Sequence, residues 1–100
     1  MFGPPEATLQ QIIACLSAFT EISQAAIFGS RAIGTYRAGS DVDIVIWLTT
    51  DNPHTVARIA AALDELPTAY LFDLVDYGTI THEPLKAHID DKAKPLILER

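Results

Sequence analysis

Phe28-Gly29-Ser30-Arg31-Ala32-Ile33-Gly34-Thr35-Tyr36-Arg37-Ala38-Gly39-Ser40-Asp41-Val42-Asp43-Ile44 is the stretch from which the rest of the chain can be read. Its upstream end closes a short apolar run, Ala25 to Phe28, of strand length, and Gly29-Ser30 stops that run. Arg31 to Thr35 reads as a short helix opening at Ser30, and Tyr36 to Ser40, with Gly39 and no apolar period, reads as a loop. Val42 to Leu48 is rich in β-branched residues and reads as a central strand. Side chains at i and i+2 of a strand share a face. Asp41 and Asp43 therefore stand together, about 7 Å apart at Cα by strand rise, with Val45 and Trp47 continuing their face. Val42, Ile44, Ile46 and Leu48 make the opposite, wholly apolar one.

This arrangement carries chemistry. Two carboxylates so close repel one another and are tolerated in water or with a divalent cation between them. A lone Asp-x-Asp is more often a loop cap than a site, and a lone Gly-Ser is an ordinary turn. Their combination is more specific. Glycine lets a phosphate approach the backbone, and free N–H groups at a helix N-terminus with the Ser30 hydroxyl donate to phosphate oxygens. Arg31 and Arg37 lie in the ten residues between the turn and the acids, two of the chain's 7 cationic side chains. Gly29, Ser30, Arg31, Arg37 and Ser40 are thus the expected nucleotide-binding set, beside Asp41 and Asp43 as metal ligands. A third carboxylate would complete a two-metal site. Tyr70 to Tyr77 offers Asp73 and Asp76, which face opposite sides of a strand. Asp73, set among apolar neighbours where a charge is costly unless paired or metal-bound, is the expected third acid, and Asp76 the weaker candidate.

Outward from this stretch, a helix is expected over Ala7 to Phe19, with Leu9, Ile12, Ile13, Leu16 and Phe19 as one apolar stripe and Cys15 at its edge. Pro53 opens a second helix with Asn52 or Asp51 as cap, carrying Val56, Ile59, Ala60, Leu63 and Leu66 and ending by Pro67. Ala69 to Tyr77 reads as a strand, Gly78 as a break, Glu83 to Asp90 as a last helix and Pro95 to Leu98 as a short edge strand. Helices alternating with strands imply an α/β domain, a sheet with helices packed on it.

One hundred residues, 49% of them apolar, suit one compact domain spanning 1–100. The net charge of −6, with Lys and Arg scattered, argues against direct nucleic-acid binding, which needs a basic face. A small triphosphate needs only a metal and two arginines. Cys15 is the single cysteine, so neither an internal disulfide nor a cysteine zinc site is available, which fits a reducing, cytoplasmic setting. Met1 to Glu6 does not read as a signal peptide, and no apolar run approaches the ~20 residues that span a bilayer. His54, His82 and His88 lack ligand spacing. Trp47 could stack on adenine, but packing is the better expectation for a large aromatic.

The run Phe28–Ile44 resembles the signature of the minimal nucleotidyltransferases of the DNA polymerase β superfamily, and Asp73-Leu74-Val75-Asp76-Tyr77 is similar to that family's third-acid strand. Arg31, Gly34 and Arg37 stand where the pattern has them. The resemblance covers nearly the whole chain. It implies the nucleotidyltransferase fold, a small mixed β-sheet flanked by helices. It also implies that Gly29 and Ser30 bind nucleotide phosphates and that Asp41, Asp43 and Asp73 carry two Mg²⁺ ions, with ATP as substrate. That family typically pairs with an all-helical HEPN protein in modules resembling toxin–antitoxin systems, where AMP is added to a tyrosine of the HEPN ribonuclease. The implied protein is an antitoxin in a hetero-oligomer with a HEPN-type toxin. Two other readings are a transferase acting on a small antibiotic-like compound and a non-catalytic module that neutralises its partner by contact.

Overall fold

The computed structural model describes residues 6–29 and 42–99. In chain order the described elements are α1 (Glu6–Ser17), β1 (Ile22–Phe28), β2 (Val42–Leu48), α2 (Pro53–Asp64), β3 (Phe72–Asp76), a 3-10 turn (Tyr77–Thr79), α3 (Glu83–Lys92) and β4 (Lys94–Leu96). The helix expected over Arg31–Thr35 and the loop over Tyr36–Ser40 lie outside the described residues.

The four strands form one mixed sheet in the order β3-β2-β1-β4. β1 runs antiparallel to both β2 and β4, whereas β2 and β3 are parallel and joined through α2. A parallel pair needs such a crossover, because the chain must return to the same end of the sheet. The architecture is thus an α/β domain with a small mixed sheet flanked by helices.

Period-2 alternation assigns the two faces. On one, Ala25 and Ile27 of β1 lie opposite Ile46 and Ile44 of β2, and Val42 and Ile44 lie opposite Phe72 and Leu74 of β3. Ile12 and Leu16 of α1 and Ile59 and Leu63 of α2 close this face, and none of these four is more than 1% exposed. Each such side chain contributes about 1.5–3 kcal/mol by leaving water. The buried stripes are Thr8–Ile12–Leu16 and Thr55–Ile59–Leu63, each at i, i+4, i+8. A threonine thus occupies the first buried position of both helices, and Leu9, Phe19 and Leu66 pack only at the margin. Cys15 also packs there, and partial burial pushes its thiol pKa up, away from the reactive thiolate.

The opposite face carries Ala26, Phe28 and Val45, covered by Ile89 of α3, with Leu85 and Ala93 beside it. At the start of α2 the Asn52 side chain accepts from the His54 N–H at 2.9 Å and Pro53 takes the first turn, as its missing N–H allows. Arg58 of α2 reaches Glu21 at 3.2 Å and lies over the Phe19 ring, tying α2 to the entry of β1.

Several boundaries differ from those expected. β1 begins at Ile22, three residues early: Ser23 and Gln24 interrupt the apolar pattern, yet Ile22 and Gln24 still pair with β2, with a register shift at Ser23 between them. The Ser23 hydroxyl donates to the Trp47 carbonyl at 3.0 Å. β3 begins only at Phe72, since Thr68 to Tyr70 is used in a turn in which the Tyr70 N–H donates to Thr68 Oγ1. α1 stops at Ser17, and β4 starts at Lys94 rather than Pro95.

Candidate functional site

β2 carries Asp43 one residue in from its N-terminal end, on the face that α3 covers. The register puts Asp43 directly opposite Phe28, the last residue of β1, and directly opposite Asp73, the second residue of β3. Phe28, Asp43 and Asp73 therefore form one row across three strands. Adjacent strands lie about 4.8 Å apart, so the two carboxylates leave neighbouring backbones on the same side. Asp43 is 7% exposed and Asp73 is half-buried. Its place in this row is forced by the apolar residues either side: Val42 and Ile44 fill the other face, so the residue between them must point the opposite way.

Asp76 lies elsewhere. It pairs with Ile46, toward the far end of the strands, and its side chain accepts from the Gly78 N–H at 3.0 Å, capping the 3-10 turn. Of the two acids that β3 offers, Asp73 is the one in register with Asp43.

Gly29 follows directly on β1, at the end of the sheet where the acid row lies. Among the described residues, no atom would meet a side-chain carbon added there within 4 Å. The described residues thus leave room at this backbone, as a group approaching from outside would require. Ser30, Arg31, Arg37, Ser40 and Asp41 lie outside the described residues. Two carboxylates side by side are a hard-oxygen donor set, which fits Mg²⁺ better than any softer ion. Among the described residues no three His, Cys, Asp or Glu side chains come together, and the expected trio includes Asp41.

The acids sit at the N-terminal ends of the parallel strands β2 and β3 and at the C-terminal end of antiparallel β1. The C-terminal ends of β2 and β3, where ligands of open α/β sheets usually bind, carry other chemistry. Trp47 stacks on Tyr77 with ring centroids 4.9 Å apart. Lys86 Nζ lies 5.2 Å from the Tyr77 ring centre, and the Tyr77 hydroxyl donates to Asp90 Oδ1 at 2.6 Å. That hydrogen bond, then desolvation and the charges of Asp90 and Glu83, raise the Tyr77 pKa above the ordinary phenol value. Sequence reading did not connect these four residues, although Trp47 and Tyr77 each sit at a strand end, which is the signal that could have joined them. His54 is exposed and His82 stands at the N-cap of α3 without a side-chain bond. No described helix is long and apolar enough to cross a membrane.

A family model described as polymerase beta, nucleotidyltransferase matches residues 10–100. Among solved structures, one chain of a toxin–antitoxin with AMP-PNP is similar, with 26% identity and a TM-score of 0.57 over 92% of this chain and 74% of that one. A chain of the toxin–antitoxin MntA–HepT shares the fold, with 22% identity and a TM-score of 0.60 over 95% and 74%. No curated protein matches.

Proposed function

Because this chain belongs to the polymerase beta nucleotidyltransferase family, we propose that it transfers AMP from ATP to a tyrosine hydroxyl of a HEPN-type helical toxin and serves as that toxin's antitoxin. The observation that carries the reading is the in-register pair of Asp43 and Asp73 at the end of the sheet where Gly29 stands. Asp41, Asp43 and Asp73 would hold two Mg²⁺ ions, which when bound supply neutralisation of phosphate charge and activation of the attacking hydroxyl. Gly29 admits the phosphates close to the backbone, with Ser30, Ser40, Arg31 and Arg37 as their donors. The acceptor oxygen bonds to the α-phosphorus as the bond to pyrophosphate breaks, so positioning and charge stabilisation carry most of the catalysis.

The protein acceptor is supported by the similarity to a chain of a toxin–antitoxin with AMP-PNP, at 26% identity. It is also supported by charge: 13 acidic against 7 basic side chains suit a basic partner in a hetero-oligomer, by complementarity that speeds encounter and fixes orientation.

The test uses α-labelled ATP, Mg²⁺ and a HEPN-type protein. Label is expected on a partner tyrosine, and none with the Asp43→Asn/Asp73→Asn double variant. If that double variant still silences the partner with no label transferred, contact alone is the mechanism and the transfer reading falls. Nucleotidylation of a small hydroxylated cation by the isolated chain, with none of the protein, would redirect the reading to a small-molecule transferase.

A further inference from the structure

At the C-terminal ends of β2 and β3, at the far end of the sheet from the acid pair, a cleft of about 640 Å³ opens between the loop after β2 and the 3-10 turn after β3. Trp47 and Tyr77 line it as a stacked pair, Asp51 and Asp76 contribute carboxylates, and Thr50 and Thr79 add hydroxyl groups. Trp47 lies four steps along the strand from Asp43, a distance of about 13 Å, so this cleft is distinct from the proposed transferase site.

The chemistry of the lining is one-sided. Among the described residues it holds two carboxylates, an indole and a phenol, and no cationic side chain. Indole is the strongest cation–π partner among side chains, and arginine is the cation that most often stacks on it while its N–H groups reach carboxylates. The neighbouring Tyr77 ring already has a cation, Lys86, over it. Asp76 also has capacity to spare beyond Oδ1, which accepts from Gly78, because a carboxylate has two acceptor oxygens.

We propose that this cleft receives an arginine side chain presented by a basic protein partner. The reading does not use the acid pair and stands or falls separately from the transferase reading. A protein source is favoured over a free cation by the open form of the site. Thr49, Asp51, Gly78 and Thr79 on its rim are exposed, so an untethered cation would be held by few groups and would stay hydrated. A side chain carried on a protein surface gains the rest of its affinity from contacts around the rim and is drawn in by the net charge of −6.

Trp47 is the only tryptophan, so its fluorescence reports this cleft alone. The full chain is titrated at constant ionic strength with a capped peptide, Gly-Arg-Gly, and with the same peptide carrying citrulline, which keeps the shape and removes the charge. The arginine peptide is expected to change Trp47 emission saturably, on the order of millimolar, and the citrulline peptide is not. The Asp51→Asn/Asp76→Asn variant keeps the acceptor that caps Gly78 and is expected to bind at least about tenfold more weakly, the effect of one lost charge-assisted contact. An equal response to citrulline, an unchanged affinity in the double variant, or no saturable change would each overturn the proposal. Arginine amide binding as tightly as the peptide would replace the protein partner by a free cation. A charge-independent response to adenosine would make the cleft a nucleobase site instead.

Discussion

The two faces of the sheet are made from alternate residues of the same strands, yet they are closed differently. Val42, Ile44 and Ile46 face α1 and α2, and Ile44 and Ile46 are fully buried there among ten core residues. The alternate set, Asp43, Val45 and Trp47, faces α3, where the buried cluster is smaller among the described residues: Ala26, Phe28, Val45 and Ile89. That cluster is centred in the sheet. At one end of the face, beyond Phe28, it gives way to the pair Asp43–Asp73, and at the other to the Trp47–Tyr77 stack. One face is specialised for stability; the other has kept just enough apolar cover to hold α3 and leaves both ends to polar chemistry. Asp43 and Ile44 are neighbours in sequence and belong to opposite sides of that division.

The sharpest way to test this division is to change those two residues in turn. Asp43→Asn is expected to lower nucleotidyl transfer about 100- to 1000-fold, the range for losing one electrostatic element of a catalytic site, with a much smaller change in urea midpoint than Ile44→Ala. Ile44→Ala is expected to cost about 2–5 kcal/mol of stability, from lost transfer energy and the cavity left behind, read by urea unfolding. Equal stability losses from the two would erase the contrast between the faces. A smaller effect should come from Asn52→Ala, which removes the side-chain cap of α2 and with it part of the lid on the apolar face. About 1 kcal/mol is expected, seen as a shift in the thermal midpoint with activity per folded molecule unchanged.

The smallest effect concerns pH, on the α3 face. The Tyr77 pKa is raised, first by the hydrogen bond its hydroxyl donates to Asp90. A group that holds its proton more tightly when folded contributes stability below its unfolded pKa, near 10, and loses it as pH rises through the higher folded value. Absorbance titration of the phenols should therefore show Tyr77 ionising above the ordinary range, and Asp90→Asn should bring it down. A Tyr77 that ionises at the ordinary value in both proteins would remove this contact from the account of how α3 is held.

Much of this was legible in the residues themselves. The alternation in Val42–Leu48 separates the acid from the core without any structure, because period 2 is a property of the strand backbone. Pro53 and Asn52 announce α2 for the same local reason. That Asp73 would join Asp43 was expected from its apolar neighbours, but the exact register that sets the two opposite was not legible: it depends on how far α2 carries the chain before β3 begins, which is set by packing of Ile59 and Leu63 on the sheet. The early start of β1 was hidden because Ser23 and Gln24 look like loop residues and are held by cross-strand bonds. The Trp47–Tyr77 stack depends likewise on the β2–β3 register, which brings two distant strand ends side by side. Ser30, Arg31, Arg37, Ser40 and Asp41 rest on the sequence pattern alone.

β1 has neighbours of very different origin. β2 follows it closely in the chain, whereas Leu96 of β4 lies opposite Ala25, some 70 residues away by loop length. Nearby, the Glu99 N–H donates to Ser17 Oγ at the end of α1, at 2.8 Å. Contacts of such separation are slow to form, and a three-residue edge strand with mostly exposed side chains opens locally more readily than a buried one. The order of events in this chain is thus written into its strand order: β1, β2 and β3 can assemble around α2 as a unit, and the β4 edge acts as the late-closing seam, with amide exchange there running ahead of exchange in the centre of the sheet.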